Sequence, residues 1–394
     1  MLISIQEFML LQNKQVAIIG GGPGGLTLAR LLQLKGVAVK VYERDVNENA
    51  RVQGATLDLH FESGLKALQA AGLMDAFKAN YRPGANKGRV VDKHANIVYD
   101  EHNEVSDEDF DNELFRPEID RGPLRNILLN SLEPDTVVWD RQFKTMSLAG
   151  DAWKLAFKNG ATAIADIVIG ADGANSKIRP FVTPEKPFYS GVIILQGSVD
   201  NSETATPNIH QLLKGGKIYA YADEKYLHVS SKGDGSLDFY ISCQKNENWA
   251  QTDGIDFSDR MQVCAWFKKE FAKWGNIWLE LFENASLPII PRPQYCIDIE
   301  QTWDAQPNIT LLGDAAHLMP PTGEGVNLAM LDALELSECL TNKKFTAIQT
   351  AIAVYEKQMR RRAAKEAQDS IEMTEWMHGE DALIKMVQLL NQIQ

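Results

Sequence analysis

Gln15-Val16-Ala17-Ile18-Ile19-Gly20-Gly21-Gly22-Pro23-Gly24-Gly25-Leu26 decides the fold. Val16 to Ile19 is a short, β-branched run suited to a strand buried on both faces. Gly20 to Gly25 breaks it. Leu26, Ala29, Leu31, Leu32 and Leu34 follow on helical spacing, and Gly36 is placed to end the helix. Val37 to Tyr42 is the next strand. Strand, tight turn, helix and strand make one βαβ unit, the start of a parallel sheet. Gly20, Gly22 and Gly25 stand as GxGxxG. The first allows the turn, the second lets backbone approach a pyrophosphate, and the third lets the helix sit close to the strand. The helix N-terminus then offers N–H donors to phosphate, and Glu43, ending the second strand, can accept from a ribose. This context predicts dinucleotide binding.

The rest of the chain is read outward from that unit. Its 394 residues suggest two or three domains, with 44% hydrophobic and 24% charged residues, an ordinary globular composition. The net charge of −13 disfavours nucleic acid as a partner. Cys243, Cys264, Cys296 and Cys339 have no CxxC spacing, so they read as buried thiols and no metal site is expected. The first twelve residues lack the charged start and cleavage site of a signal peptide, and no apolar run reaches membrane-spanning length. A cytoplasmic monomer with no membrane contact is expected.

Helices are predicted over Ser63 to Ala79, interrupted at Gly72, and over Asp120 to Leu132, Ser258 to Trp274, Thr346 to Ser370 and Asp381 to Ile393. A hairpin is predicted over Arg89 to Tyr99 and a loop over Asn103 to Asn112. Strands are expected at Thr136 to Trp139, Ala152 to Phe157, Ile164 to Ile169 and Asn308 to Leu312. Val192 to Val199, Ile218 to Ala222, Leu227 to Ser231 and Leu237 to Cys243 read as an antiparallel block of a different kind.

Two further motifs narrow the cofactor. Gly313-Asp314-Ala315-Ala316-His317-Leu318-Met319-Pro320-Pro321-Thr322-Gly323-Glu324-Gly325-Val326-Asn327 resembles the second flavin fingerprint of the class A flavoprotein monooxygenases (aromatic hydroxylases). Gly170-Ala171-Asp172-Gly173-Ala174-Asn175-Ser176-Lys177-Ile178-Arg179 resembles the DG motif of the same family. The resemblance implies an α/β fold: a Rossmann-like FAD-binding domain with a parallel sheet, a substrate domain on a largely antiparallel sheet, and a C-terminal helix. The corresponding division is 1–76, 104–183 and 293–340 for FAD, 77–103 and 184–292 for substrate, and 341–394 as a helical segment bridging them. By resemblance, Asp172, Asp314, Pro320, Gly323, Gly325 and Asn327 join Gly20, Gly22, Gly25 and Glu43 at the cofactor. His317 reads as structural.

Within the family, Val41 to Asp45, Gly54 to His60, Arg116 to Arg121, Asn126 to Leu132 and Gly313 to Pro321 are similar to the tetracycline-inactivating monooxygenases. That similarity implies FAD contacts from Arg44, Asp58 and Arg121, and a nicotinamide contact from Arg51. Gln196, Lys217 and Asp238 fall where that group contacts substrate. The last two replace an arginine and a histidine there, which alters the charge pattern. The implied chemistry is FAD- and NADPH-dependent hydroxylation by O2, through a flavin C4a-hydroperoxide, of an aromatic or polycyclic small molecule, a tetracycline among the candidates. No catalytic side chain is assigned, because the flavin carries the chemistry. An FAD-binding protein without oxygenation is the alternative. A flavin-dependent halogenase lacks its WxWxIP signature here, and Gly313-Asp314 argues against a plain NAD dehydrogenase. The basic run Arg360-Arg361-Arg362 reads as a solvated face or inter-domain salt bridges, on a helix that braces the two domains.

Overall fold

The computed structural model describes residues 10–50, 54, 56–103 and 108–393. Arg51 and part of the acidic loop after Asn103 lie outside the described residues. Gln15–Ile19 is the central strand of a five-stranded parallel sheet. Ala38–Tyr42 and Ile167–Gly170 flank it, and Val137–Val138 and Ile309–Leu311 form the edges. Val16, Ala17 and Ile18 are fully buried, as a strand covered on both faces requires. Helix Pro23–Gln33 packs against helix Gly325–Thr341, so the two ends of the chain's flavin fingerprints share one core.

The second sheet has seven strands, in the order Ile290–Cys296, Phe188–Val199, Leu237–Gln244, Lys225–Ser231, Lys217–Ala222, Gly88–Val91 and Ile97–Asp100. All its pairings are antiparallel except that of Lys217–Ala222 with Gly88–Val91. Alternation sorts its faces. Leu237, Phe239 and Ile241 enter a core with Val263, Trp266, Phe267 and Phe282, from helices Arg260–Glu270 and Leu279–Asn284. Asp238, Tyr240 and Ser242 point to the opposite face.

The structure differs from the sequence reading in several places. The stretch read as one strand, Ile164 to Ile169, is two. Thr162–Ala165 joins a three-stranded antiparallel sheet with Phe143–Ala149 and Ala152–Phe157, and Ile167–Gly170 joins the parallel sheet. Asp166 makes the break by turning its carboxylate onto the Gln15 N–H at 2.8 Å. Strands Phe143–Ala149 and Ile290–Cys296 and helix Pro207–Leu213 were not anticipated. Ser63 to Ala79 is a π-helical turn followed by two short helices, broken at Gly72, where φ is +71°.

The long C-terminal helix runs over Ile348–Met377, past the expected end at Ser370. Ala351, Ile352, Tyr355 and Met359 enter the flavin-side core, and the Tyr355 hydroxyl donates to the Leu311 carbonyl at 2.9 Å. At the other end Met377 packs with Val90 and Tyr221 of the seven-stranded sheet, and His378 is hydrogen-bonded to Ser242. The basic run serves these contacts. Arg360 lies 4.5 Å over the Trp303 ring, and Arg362 donates to Asp332 and Glu335. Among the described residues no helix is long and apolar enough to cross a membrane.

Removing residues 347–394 uncovers apolar surface on both units at once. We expect a lower melting temperature and binding of a hydrophobic dye by the truncated protein. An unchanged melting temperature would contradict the bracing role.

Candidate flavin and substrate site

The first fingerprint satisfies the steric demands of a pyrophosphate turn. Gly20 has φ +112°, and a Cβ there would lie 2.3 Å from the Ala171 carbonyl oxygen. A Cβ on Gly25 would lie 2.2 Å from the Gly20 oxygen, which keeps the helix close to the strand. A Cβ on Gly22 would meet nothing within 4 Å. Gly22 is also the N-cap of helix Pro23–Gln33, with no side-chain cap, so its position leaves room and donors for an anion. Gly24 has a use beyond the motif. Its missing side chain admits Leu312 and Ala329, whose atoms would lie 2.8 and 2.9 Å from a Cβ, and so lets the two fingerprint helices cross.

Glu43 is buried and accepts from the Gly21 N–H at 2.6 Å and the Asp45 N–H at 3.0 Å. It therefore splints the glycine turn from the neighbouring strand. Arg44 is exposed at the strand end.

The DG motif works mostly on itself and on the second fingerprint. Asp172 accepts from the Ser176 hydroxyl at 2.5 Å and the Lys177 N–H at 2.7 Å, closing its own loop. Arg179 is buried and donates to the carbonyls of Ala315 and Ala316 at 2.9 and 2.8 Å, to Gln301 and to Glu185. Burial pushes its guanidinium down to about 10. The sequence reading gave Arg179 no role beyond its place in the motif.

The second fingerprint follows strand Ile309–Leu311. Asp314 is reached by solvent but set deep among protein groups, and its burial pushes the carboxyl up, against His317 and Arg121. Pro320 is buried, and Gly323 has φ +107°. Gly325 then opens a 17-residue helix with no side-chain cap, leaving its first N–H groups available. Asn327 is fully buried. Its amide donates to the Asp58 carbonyl and accepts from the His60 N–H, both at 3.0 Å. It thus holds segment 58–60 against the fingerprint. His317 is buried on Asp332 at 2.5 Å, as a structural histidine.

Asp58 and His60 form the near wall. A Cβ on Gly323 would lie 3.8 Å from the Asp58 carboxylate. The His60 ring lies between Asp58, at 3.1 Å, and Glu324, at 3.3 Å. Burial alone would lower its pKa, but the bonds to these two carboxylates outweigh it and raise it to about 9. An imidazolium thus bridges two segments of the cradle.

The polar face of the seven-stranded sheet supplies the opposite wall. A Cβ on Gly54 would lie 3.6 Å from both Arg121 Nε and Gln196 Nε2, so these three meet at the seam. Gln196 accepts from Arg292 at 2.6 Å and donates to the Tyr240 hydroxyl at 3.3 Å. Asp238 is buried, and its Oδ2 has no hydrogen-bond partner among the described residues. Burial pushes it up to about 6, with Lys232 and Arg121 opposing. Lys217, expected at the substrate, is paired with the buried carboxylate of Glu118.

Because the His60 pKa is raised on folding, its contribution to stability is complete below the ordinary histidine value and is lost as pH rises through about 9. His60→Gln is expected to abolish an alkaline fall in the unfolding free energy of the apoprotein between pH 7 and 10, measured in urea. A variant with the same alkaline slope as the natural protein would contradict the bridge.

Similarity to known proteins agrees with this geometry. The model of the FAD binding domain family matches residues 13–261 and 300–370. The monooxygenase asqM of Emericella nidulans is 28% identical over 91% of this chain and 94% of the relative. The structure of Klebsiella pneumoniae HpxO with FAD and uric acid superposes with a TM-score of 0.74 at 20% identity, covering 99% of this chain and 95% of that one. Tetracycline destructase Tet(55) gives 0.72 at 20% identity, over 96% and 95%. With three fingerprints built as one cradle and a family match over most of its length, the chain belongs to the FAD binding domain family, among the class A flavin monooxygenases.

Proposed function

We propose that this chain is an FAD-dependent monooxygenase that hydroxylates a polar aromatic or polycyclic small molecule, using O2 and NADPH. The overall balance is substrate plus O2, NADPH and a proton, giving hydroxylated substrate, water and NADP+. One observation carries the substrate class. Gln196, Tyr240, His228 and Tyr219 stand in a single row across four neighbouring strands, on the face turned away from the apolar core. Adjacent rings in that row lie 6.2 Å (Tyr240 and His228) and 5.0 Å (His228 and Tyr219) apart. Such a row is a flat aromatic platform with polar edges, suited to a ring bearing hydroxyl, amide or amine groups. His228 Nδ1, Ser230 Oγ and Asp238 Oδ2 lack protein partners among the described residues and lie on the same face. Buried polar atoms of this kind favour a ligand that pairs them.

In this reading Gly20, Gly22 and Gly25 receive the pyrophosphate, and Glu43 and Arg44 the adenosine half. Asp58, Arg121, Asp314, Pro320 and the Gly323–Gly325 turn hold the flavin half. Bound FAD supplies the redox chemistry and the activation of oxygen. The chain's own residues orient the ring system, exclude water and stabilise charge. The N–H groups at Gly325 and Val326 present a positive dipole end, which favours negative charge on a reduced cofactor. Gln196 and Asp238 orient the substrate. The poised Asp238 carboxyl accepts from a substrate hydroxyl or amine when ionised. Urate and tetracycline, bound or acted on by proteins of the same fold, are reasonable first substrates.

The test is NADPH oxidation in air by the purified, FAD-loaded protein, with tetracycline, urate and a panel of polycyclic phenols added singly, followed by mass spectrometry. At least one compound should accelerate NADPH loss and gain a single oxygen atom. Gln196→Ala should then raise that compound's KM about tenfold, the scale of one lost polar contact. Substrate-independent oxidation with every compound recovered unmodified would instead favour an FAD-binding protein without oxygenase activity.

A further inference from the structure

We propose that Lys217 is a latch between the substrate sheet and the flavin cradle, a positioning residue for FAD. The inference deepens the reading of Asp58 as a cofactor contact and rests on it. Lys217 begins the strand Lys217–Ala222 of the seven-stranded sheet. Its ammonium is paired with Glu118, which is 1% exposed. Glu118 is not part of that sheet. It sits on a two-stranded ribbon, directly opposite Asp58 across the register Asp58↔Glu118. One cation therefore faces two carboxylates from a separate element, and one of them, Asp58, is the wall of the cradle.

The charges continue in alternation. Glu324, His60, Asp58, Lys217 and Glu118 run negative, positive, negative, positive, negative, from the flavin fingerprint to the substrate sheet. The groups facing Asp58 are Lys217, Tyr219 and His228 from the sheet, His60 on its own segment, and Glu118 across the ribbon. Burial alone would raise the Asp58 pKa, but Lys217 and His60 hold the carboxyl well below the usual range. Glu118 is the weaker acid of the two, pushed up by its burial and by Asp58. Lys217 keeps its proton under both influences, against its own burial. A cation already matched by two carboxylates has little charge left for an anionic substrate. A second seam beside it has the same sense: Arg82 donates to Ser231 of the substrate sheet, while the Gly233 N–H donates to Asp120 next to the ribbon.

Removing one member of a buried ion pair leaves the others uncompensated. Lys217→Met would leave His60 as the counter-ion of Asp58, with Glu118 against it, and burial would then push the Asp58 carboxyl above its ordinary range, into the span between about pH 5 and 7. The experiment is FAD binding to the apoprotein, followed by quenching of flavin fluorescence from pH 5 to 8. We expect Lys217→Met to raise the Kd for FAD about tenfold or more at pH 7, since a buried charge loses its partner. Its affinity should also fall further toward pH 5, whereas that of the natural protein stays level. Lys217→Arg, which keeps the charge, should stay within about threefold of the natural Kd. A purely structural lysine would lower the melting temperature without this pH dependence. Equal affinity and an equal pH profile in Lys217→Met would overturn the latch and return Lys217 to the substrate. If Lys217→Met does not fold, the charge-balanced pair Lys217→Gln with Glu118→Gln takes its place. It should bind FAD at least about fivefold more weakly, and natural affinity in that pair would overturn the proposal. Failure of the natural protein itself to bind FAD would sink the cofactor reading, an outcome distinct from failure of the latch.

Discussion

The flavin side of the molecule hangs on one carboxylate. Asp332 is fully buried in helix Gly325–Thr341 and serves three elements at once. It accepts the Gly313 N–H at 2.8 Å, the His317 ring at 2.5 Å and the Arg362 guanidinium at 2.5 Å. Gly313 begins the fingerprint loop, His317 lies within it, and Arg362 arrives from the C-terminal helix. A buried charge is tolerated only where paired and fully hydrogen-bonded, so these groups cannot move independently. Burial would raise the Asp332 pKa, but His317 and Arg362 together hold it low and keep the carboxylate ionised. The loop that must face a cofactor is thereby fixed from behind.

The same principle explains why so many fingerprint side chains bind one another. Arg179 clamps the carbonyls of Ala315 and Ala316, Asn327 clamps the backbone on both sides of Leu59, and Glu43 clamps Gly21. Each of these side chains holds a main-chain segment, and the held segments present the N–H groups and the open glycine surface. A cofactor is gripped well only by donors already oriented before it arrives, because ordering them on binding would cost affinity. A motif of this kind thus specifies a scaffold first and a contact list second.

That division sets what could be read from the residues alone. The central βαβ unit and the antiparallel block were legible because strand alternation, helical spacing and glycine sterics are local. The break at Asp166 was not, because it depends on a carboxylate reaching Gln15, far back in the chain. Lys217 shows the same limit more sharply. Its place beside substrate residues followed from resemblance, but its partner Glu118 lies 99 positions earlier on a two-residue strand that periodicity cannot register. The aromatic row was hidden for a related reason. Each of its rings alternates correctly within its own strand, but only the register between strands brings Tyr240, His228 and Tyr219 into line.

In the proposed reading, the register also decides where selectivity resides. In the next row along the same strands, Tyr221 stacks on Tyr226 at 4.8 Å and is covered by Trp376, while Ser242 is taken by His378. The C-terminal helices therefore cover that row with protein partners. In the row on the other side, which holds Ser230 and Asp238, Lys217 is paired with Glu118. Gln196, Tyr240 and His228 lie between these two rows and Asp238 beside them, and His228 Nδ1 and Asp238 Oδ2 have no hydrogen-bond partner among the described residues. A site whose buried polar atoms await partners discriminates strongly, because a ligand lacking the matching group leaves them desolvated and unmet. Position 238 carries an aspartate poised near 6 beside Arg121, where the tetracycline-inactivating relatives are expected to carry histidine. In the proposed reading, a carboxylate in place of an imidazole there, accepting only when ionised, favours a ring that offers a hydroxyl or amine hydrogen at this point.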